Sequence, residues 1–91
     1  MPMTVYEKAF VRTIETRYGA LAPGEIARKM IEMGVVDMTL CKVLCIREFI
    51  ADRLKEGVKK IDAMWLATEH FACSYEYVRK CVYYYTDIGA E

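Results

Sequence analysis

Neither sign of charge prevails in this 91-residue chain, where 13 basic side chains balance 13 acidic ones. A uniformly positive surface is thereby excluded, and with it the simplest source of affinity for a phosphate backbone. Dividing the chain does not change this. Residues 1–57 hold nine basic and eight acidic groups, and residues 58–91 hold four (Lys59, Lys60, Arg79, Lys80) and five (Asp62, Glu69, Glu76, Asp87, Glu91). Long apolar runs are missing too: nothing approaches the roughly 18 uncharged residues that span a bilayer. The N-terminal MPMTVYEKAF lacks the basic segment followed by an apolar stretch that marks a secretory signal. No membrane association is expected, and the expected location is the cytoplasm. Also absent are the strict apolar–polar alternation of a half-buried strand, a glycine-rich phosphate loop and a pair of carboxylates that share a cleft. With one histidine and no credible nucleophile beside it, an enzyme is the weakest functional class, and no cofactor is expected.

What is present is apolar surface. Hydrophobic residues make up 55% of the chain, above the usual range of about 45–50%, so one thin core can be filled with some left over. Seven Tyr and six Met suit either that core or a dimer or partner surface, since Tyr pairs apolar area with a polar tip and Met adapts to irregular neighbours. The four cysteines, Cys41, Cys45, Cys73 and Cys81, are expected to stay reduced in the cytoplasm. Cys41 and Cys45 stand one helical turn apart, and His70 with Cys73 forms an H-x-x-C pair, which leaves zinc as an alternative. Structural zinc sites place their paired Cys on a flexible knuckle rather than mid-helix, so no metal is expected and the thiols are read as small buried hydrophobes.

Periodicity predicts an all-α chain of four or five helices. Residues 3–18 set Tyr6, Phe10, Ile14 and Tyr18 at four-residue steps, with Gly19 as the stop. Pro23 suits the first turn of a second helix, where its missing N–H costs nothing; Ile26, Met30 and Met33 give its apolar face and Gly34 its cap. Asp37 reads as the N-cap of a long third helix through Lys55, closed by Gly57, with Leu40, Leu44, Ile50 and Leu54 inward, Cys41, Cys45 and Phe49 widening the stripe, and Arg47 in solvent. A fourth helix, about Lys59 to Phe71, is expected to bury Ile61, Met64, Trp65, Thr68 and Phe71, with Trp65 as anchor. A fifth, capped by Ser74 and carrying Glu76 in its first turn, is expected to turn Val78, Val82 and Tyr85 inward, with Cys81 beside them. Its outward side would hold Tyr75, Glu76, Arg79, Lys80 and Tyr83. The break at EGVKK is too short for a domain linker. The expectation is one helical domain over 1–91, in which 37–86 form a trihelical unit and 1–36 an N-terminal helical extension.

At LATEHFACSYEYV the sequence resembles the helix-turn-helix DNA-binding family, in particular the trihelical kind of bacterial and phage regulators. Leu66, Ala67 and Thr68, then Phe71, Ala72, Cys73, Ser74 and Val78, follow the family order of aliphatic and small residues, apolar position, turn, Ser and aliphatic. The likeness covers about 25 residues, from Ile61 to Tyr85. Two positions depart from it: Ala72 stands where Gly is usual, and Ala67 lies one place from the small-residue slot. An Ala in the left-handed conformation costs about 1 kcal/mol, so a somewhat wider turn is expected.

The resemblance implies a recognition helix that enters the major groove of double-stranded DNA from its N-terminus. Ser74 and the first amides of that helix would bind phosphate, Arg79 would fork onto guanine, and Lys80 would meet phosphate. Tyr75 and Tyr83 would bond phosphate or pack on a thymine methyl, Glu76 would accept from cytosine, and Lys59 and Lys60 would clamp the flanking backbone. A homodimer is implied, because one such helix touches too few base pairs. The competing reading is a protein-interaction module that uses the Tyr-rich segment YEYVRKCVYYYTD, whose aromatics with one Arg match a protein interface equally well.

Overall fold

The computed structural model describes residues 4–85, and within them the chain is helical with no strand. Its elements are α1 (Val5–Tyr18), α2 (Pro23–Glu32), α3 (Met38–Lys55), α4 (Lys60–Phe71) and α5 (Tyr75–Tyr83). Among the described residues no helix is long and apolar enough to cross a membrane. Two compact units divide the chain, Met1–Val36 and Asp37–Glu91.

Local chemistry explains where the helices start and stop. The Thr4 hydroxyl accepts the Glu7 N–H at 3.1 Å, Asp37 Oδ1 accepts the Leu40 N–H at 3.1 Å, and Ser74 Oγ accepts the Tyr77 N–H at 3.1 Å. Each bond satisfies an amide that the first helical turn leaves unpaired. Pro23 opens α2 in the first turn. Behind α2 and α3 the chain turns through the left-handed region at Gly34 (φ 76°) and Gly57 (φ 89°), a conformation that glycine reaches without a side-chain clash.

No residue of α1 or α2 is buried. On α1, Val5 and Tyr6 are more than four-fifths exposed, and the expected stripe through Phe10 and Ile14 is only partly covered.

In the unit that begins at Asp37, α3, α4 and α5 each pack on the other two. Their common core is Val43, Ile46 and Ile50 from α3, Ala63, Met64 and Ala67 from α4, and Val78 and Cys81 from α5. Phe49, Val58, Cys73, Tyr75, Tyr77 and Val82 close it from the sides, half-buried. The largest fully buried side chains are Val43, Val78 and Cys81, so the three helices meet over small groups.

This core corrects several expectations. On α4 the buried stripe is Ala63, Met64 and Ala67, while Ile61 and Trp65 are over half exposed and Phe71 lies at the surface. Trp65 is therefore not the anchor of its helix. On α3 only Ile50 of the expected four is buried; Leu40, Leu44 and Leu54 are exposed, because Val43 and Ile46 take the inner face. On α5 Val82 is half-buried, and Tyr85, expected inward, lies beyond the helix end and is exposed, so Val78 and Cys81 carry the helix inward. Of the four thiols only Cys81 is buried; Cys41 and Cys73 are half-buried and Cys45 is exposed. Arg47 is not in solvent either. Its Nη1 donates to the carbonyls of Cys81 at 3.1 Å and Val82 at 2.9 Å, tying the end of α5 to the middle of α3.

The packing predicts unequal costs on one helix. Met64→Ala should lower unfolding free energy by about 2–5 kcal/mol, the range for emptying a buried side chain, whereas Trp65→Ala, over half exposed, should cost only about 0.5–1.5 kcal/mol, the worth of its stack on Tyr75. Urea denaturation followed by far-UV circular dichroism checks both. A Trp65→Ala loss as large as that of Met64→Ala would contradict the observed face.

Candidate nucleic-acid interface

The segment between α4 and α5 is Ala72-Cys73-Ser74, and its shape is set by one residue. Ala72 lies in the left-handed region (φ 52°, ψ 50°), the one non-glycine residue among those described with positive φ. Its own amide and that of Cys73 both donate to the carbonyl of Thr68, which closes the end of α4. Ser74 then starts α5 as its N-cap, with Glu76 in the first turn where a carboxylate favours the helix dipole. Alanine thus adopts the conformation itself, at a cost of about 1 kcal/mol.

On α5, Val78 and Cys81 face inward, which leaves Glu76, Arg79, Lys80 and Tyr83 as neighbours on the outer side. Arg79 and Glu76 form an exposed ion pair at 4.0 Å. Such pairs contribute about 0–1 kcal/mol, so Arg79 is easily released to another acceptor. Lys60, at the start of α4, sets its amino group 4.9 Å from the centroid of the Tyr83 ring, bringing two of the expected site residues together across the helix pair. Lys80 is exposed in the last turn of α5 and makes no ion pair among the described residues. Lys59 is the exposed N-cap residue of α4 and provides no side-chain cap.

Tyr75 departs from its expected place. Its ring is half-buried and stacks on Trp65 with centroids 4.3 Å apart and planes 23° apart, and its hydroxyl lies 4.0 Å from the Met64 sulfur. The residue braces the start of α5 against α4 rather than projecting outward. The exposed aromatic at this end is Trp65, whose role as a surface group was hidden by its size and apolar character. Ser74 Oγ is engaged as an acceptor by the Tyr77 amide, which leaves its O–H as the group able to donate outward.

Arg47 is the residue that sequence reasoning missed. Helical spacing does carry a signal for it: Arg47 follows Val43 by four residues and precedes Ile50 by three, so it lies on the buried stripe of α3. The α5 carbonyls it caps are left open at the helix end, and a guanidinium there also complements the dipole.

Among the described residues no three His, Cys, Asp or Glu side chains converge as metal ligands. His70 stacks on Phe49 at 4.7 Å. Burial pushes the Cys81 thiol up, a hydrogen bond from Tyr77 opposing it; burial likewise raises the Tyr77 hydroxyl, and burial with the neighbouring Cys41 raises Cys45.

The left-handed turn generates a paired test. Ala72→Gly should raise unfolding free energy by up to about 1 kcal/mol by removing the side-chain clash, while Gly57→Ala should lower it by a similar amount, about 1 kcal/mol. Thermal melts should show the two midpoints moving in opposite directions by several degrees; a fall for Ala72→Gly would refute the strain at this turn.

Searches against models of protein families, against curated proteins and against solved structures find no match to this chain.

Proposed function

We propose that the chain binds double-stranded DNA sequence-specifically through a helix-turn-helix formed by α4 and α5, as a small cytoplasmic transcriptional regulator or a phage or mobile-element accessory factor. The observation that carries this reading is the outer side of α5, where Glu76, Arg79, Lys80 and Tyr83 share one face of a helix packed into a three-helix core and Tyr83 meets Lys60. In it, Arg79 reads a guanine edge after leaving Glu76, Glu76 selects a cytosine amino group, and Tyr83 packs on a thymine methyl or bonds phosphate. Lys80, Lys59, Lys60, the Ser74 hydroxyl and the first amides of α5 hold the backbone. Tyr75 has no direct contact in this scheme, because its stack on Trp65 fixes the helix start instead.

A homodimer belongs to the proposal, since a single short helix contacts too few base pairs for specific affinity. Support for self-association comes from α1, where Val5 and Tyr6 stand exposed on a helix without a buried residue. A second reading has its own observation. Tyr83 and Tyr84 are 52% and 76% exposed, a surface that suits docking to another protein as well as to DNA.

Fluorescence anisotropy with labelled duplexes separates the two. Arg79→Ala should relax preference between the selected site and a variant site by about 1–3 kcal/mol. Lys80→Ala should weaken binding to every duplex alike and reduce the slope of log K against log salt by about one. No binding of the unmodified protein at low salt would remove DNA from the reading and leave the tyrosines as a protein-docking face. Sedimentation equilibrium tests the dimer: Tyr6→Glu should shift the protein toward monomer, and no change in mass would exclude α1 from the interface.

A further inference from the structure

A groove of about 650 Å³ opens between the first half of α3 and the turn after α4, within the volume range of sites that hold small molecules. It is walled by Cys41, Lys42 and Ile46 on one side and by Phe71, Cys73 and Tyr77 on the other. Most of this wall is hydrocarbon, sulfur or aromatic ring. Lys42 is its single charged side chain, and it makes no ion pair among the described residues. The thiol of Cys45, which also borders the groove, and the hydroxyl of Tyr77 are pushed upward by burial, so both stay neutral near pH 7 and contribute no negative charge. A wall of this kind attracts an apolar body through surface burial and one negative group through the lone ammonium.

We infer that this groove binds a small amphipathic monocarboxylate, its hydrocarbon or aromatic body between Ile46 and Phe71 and its carboxylate on Lys42. Lys42 is exposed and its ammonium hydrated, so a neutral ligand would gain nothing from it, a cation would be repelled by it, and a dianion would place a second charge against apolar wall. Because Ala72 and Cys73 belong to the wall, an occupant touches the turn that sets the start of α5. The binding site stands on the groove alone; its further role as an effector site, altering DNA affinity through that turn, rests on the DNA-binding reading.

The probes are 3-phenylpropionate and its neutral amide, titrated into the 91-residue, DNA-free protein while ¹H–¹⁵N correlation spectra are recorded. The carboxylate should shift the amides of Cys41, Lys42, Cys73 and Tyr77 in a saturable way and bind about tenfold more tightly than the amide, the discrimination expected of one charge-assisted contact. Lys42→Met, a surface substitution whose fold is verified by the same spectra, should bind the two probes equally. Equal binding of both probes to the unmodified protein, or no saturable shift with either, would overturn the site. Anisotropy on duplex DNA, repeated with saturating 3-phenylpropionate, then tests the effector role. A changed affinity that Lys42→Met abolishes supports it, and an unchanged affinity overturns it. Should the protein bind no DNA at all, the DNA reading and the effector role fall together, while the spectral titration still decides whether the groove holds a carboxylate.

Discussion

How closely three short helices can approach one another governs the rest of the unit from Asp37 onward. Ala63 and Ala67 are fully buried on the inner face of α4, opposite Val43 of α3 and Val78 and Cys81 of α5, and no larger side chain than these is completely enclosed. Small groups at the contact let the helix backbones come near, and close packing of even modest side chains gains dispersion over many atom pairs. A chain this short cannot enclose much more, because its surface is large relative to its volume. The larger apolar residues are consequently displaced outward. Trp65, Ile61, Leu40 and Leu44 lie on the surface although each would be welcome in a bigger core.

Close approach also determines how α5 is held. Its fully buried residues are Val78 and Cys81, with Tyr75, Tyr77 and Val82 half-buried against the core, and two small enclosed side chains do not by themselves fix the rotation of a nine-residue helix. Polar and aromatic contacts complete the task at both ends. Ser74 caps the first turn while the Trp65–Tyr75 stack leans it on α4, and Arg47 grips the carbonyls of Cys81 and Val82 at the last turn. Stacking and capping are each about 0.5–2 kcal/mol effects. Together they orient the outer side of α5 without spending that side's own residues.

The sequence was legible where a single residue decides the outcome and ambiguous where many compete. Asp37 and Ser74 as N-caps, Pro23 at a helix start, and Gly34 and Gly57 behind helix ends were readable, because each acts through local backbone chemistry; at Ala72 a wider turn was expected, and the residue instead takes the left-handed conformation itself. Helix faces were harder. On α4 both the stripe Ile61-Met64-Trp65-Thr68 and the stripe Ala63-Met64-Ala67 are helical, share Met64 and differ by about a quarter turn. Apolar size favours the first, and the need for close helix approach selects the second, a tertiary demand that no local pattern records. Arg47 was misplaced for the same reason: its charge suggested solvent, while its position put it on the buried stripe of α3, where it found carbonyls to bond. Of the outer face of α5, Glu76, Arg79, Lys80 and Tyr83 followed directly from the period, whereas Tyr75 did not, since its stacking partner lies on another helix.

Balanced charge gives the outer face of α5 a particular character. Lys60 rests over Tyr83 and Arg79 leans on Glu76, so both cations already have neighbours within the chain. Those contacts are weak, about 0.5–1 kcal/mol each at exposed sites, and a well-placed acceptor replaces them at little cost. A poorly placed one meets Glu76 instead. With no excess of positive charge to attract anions at long range, the face depends on geometry at contact, and geometry at contact depends on the rotation and tilt of α5. Those are set at the turn, where Ala72 occupies a conformation that a side chain resists and where Cys73 and Tyr77 border the groove above Ile46.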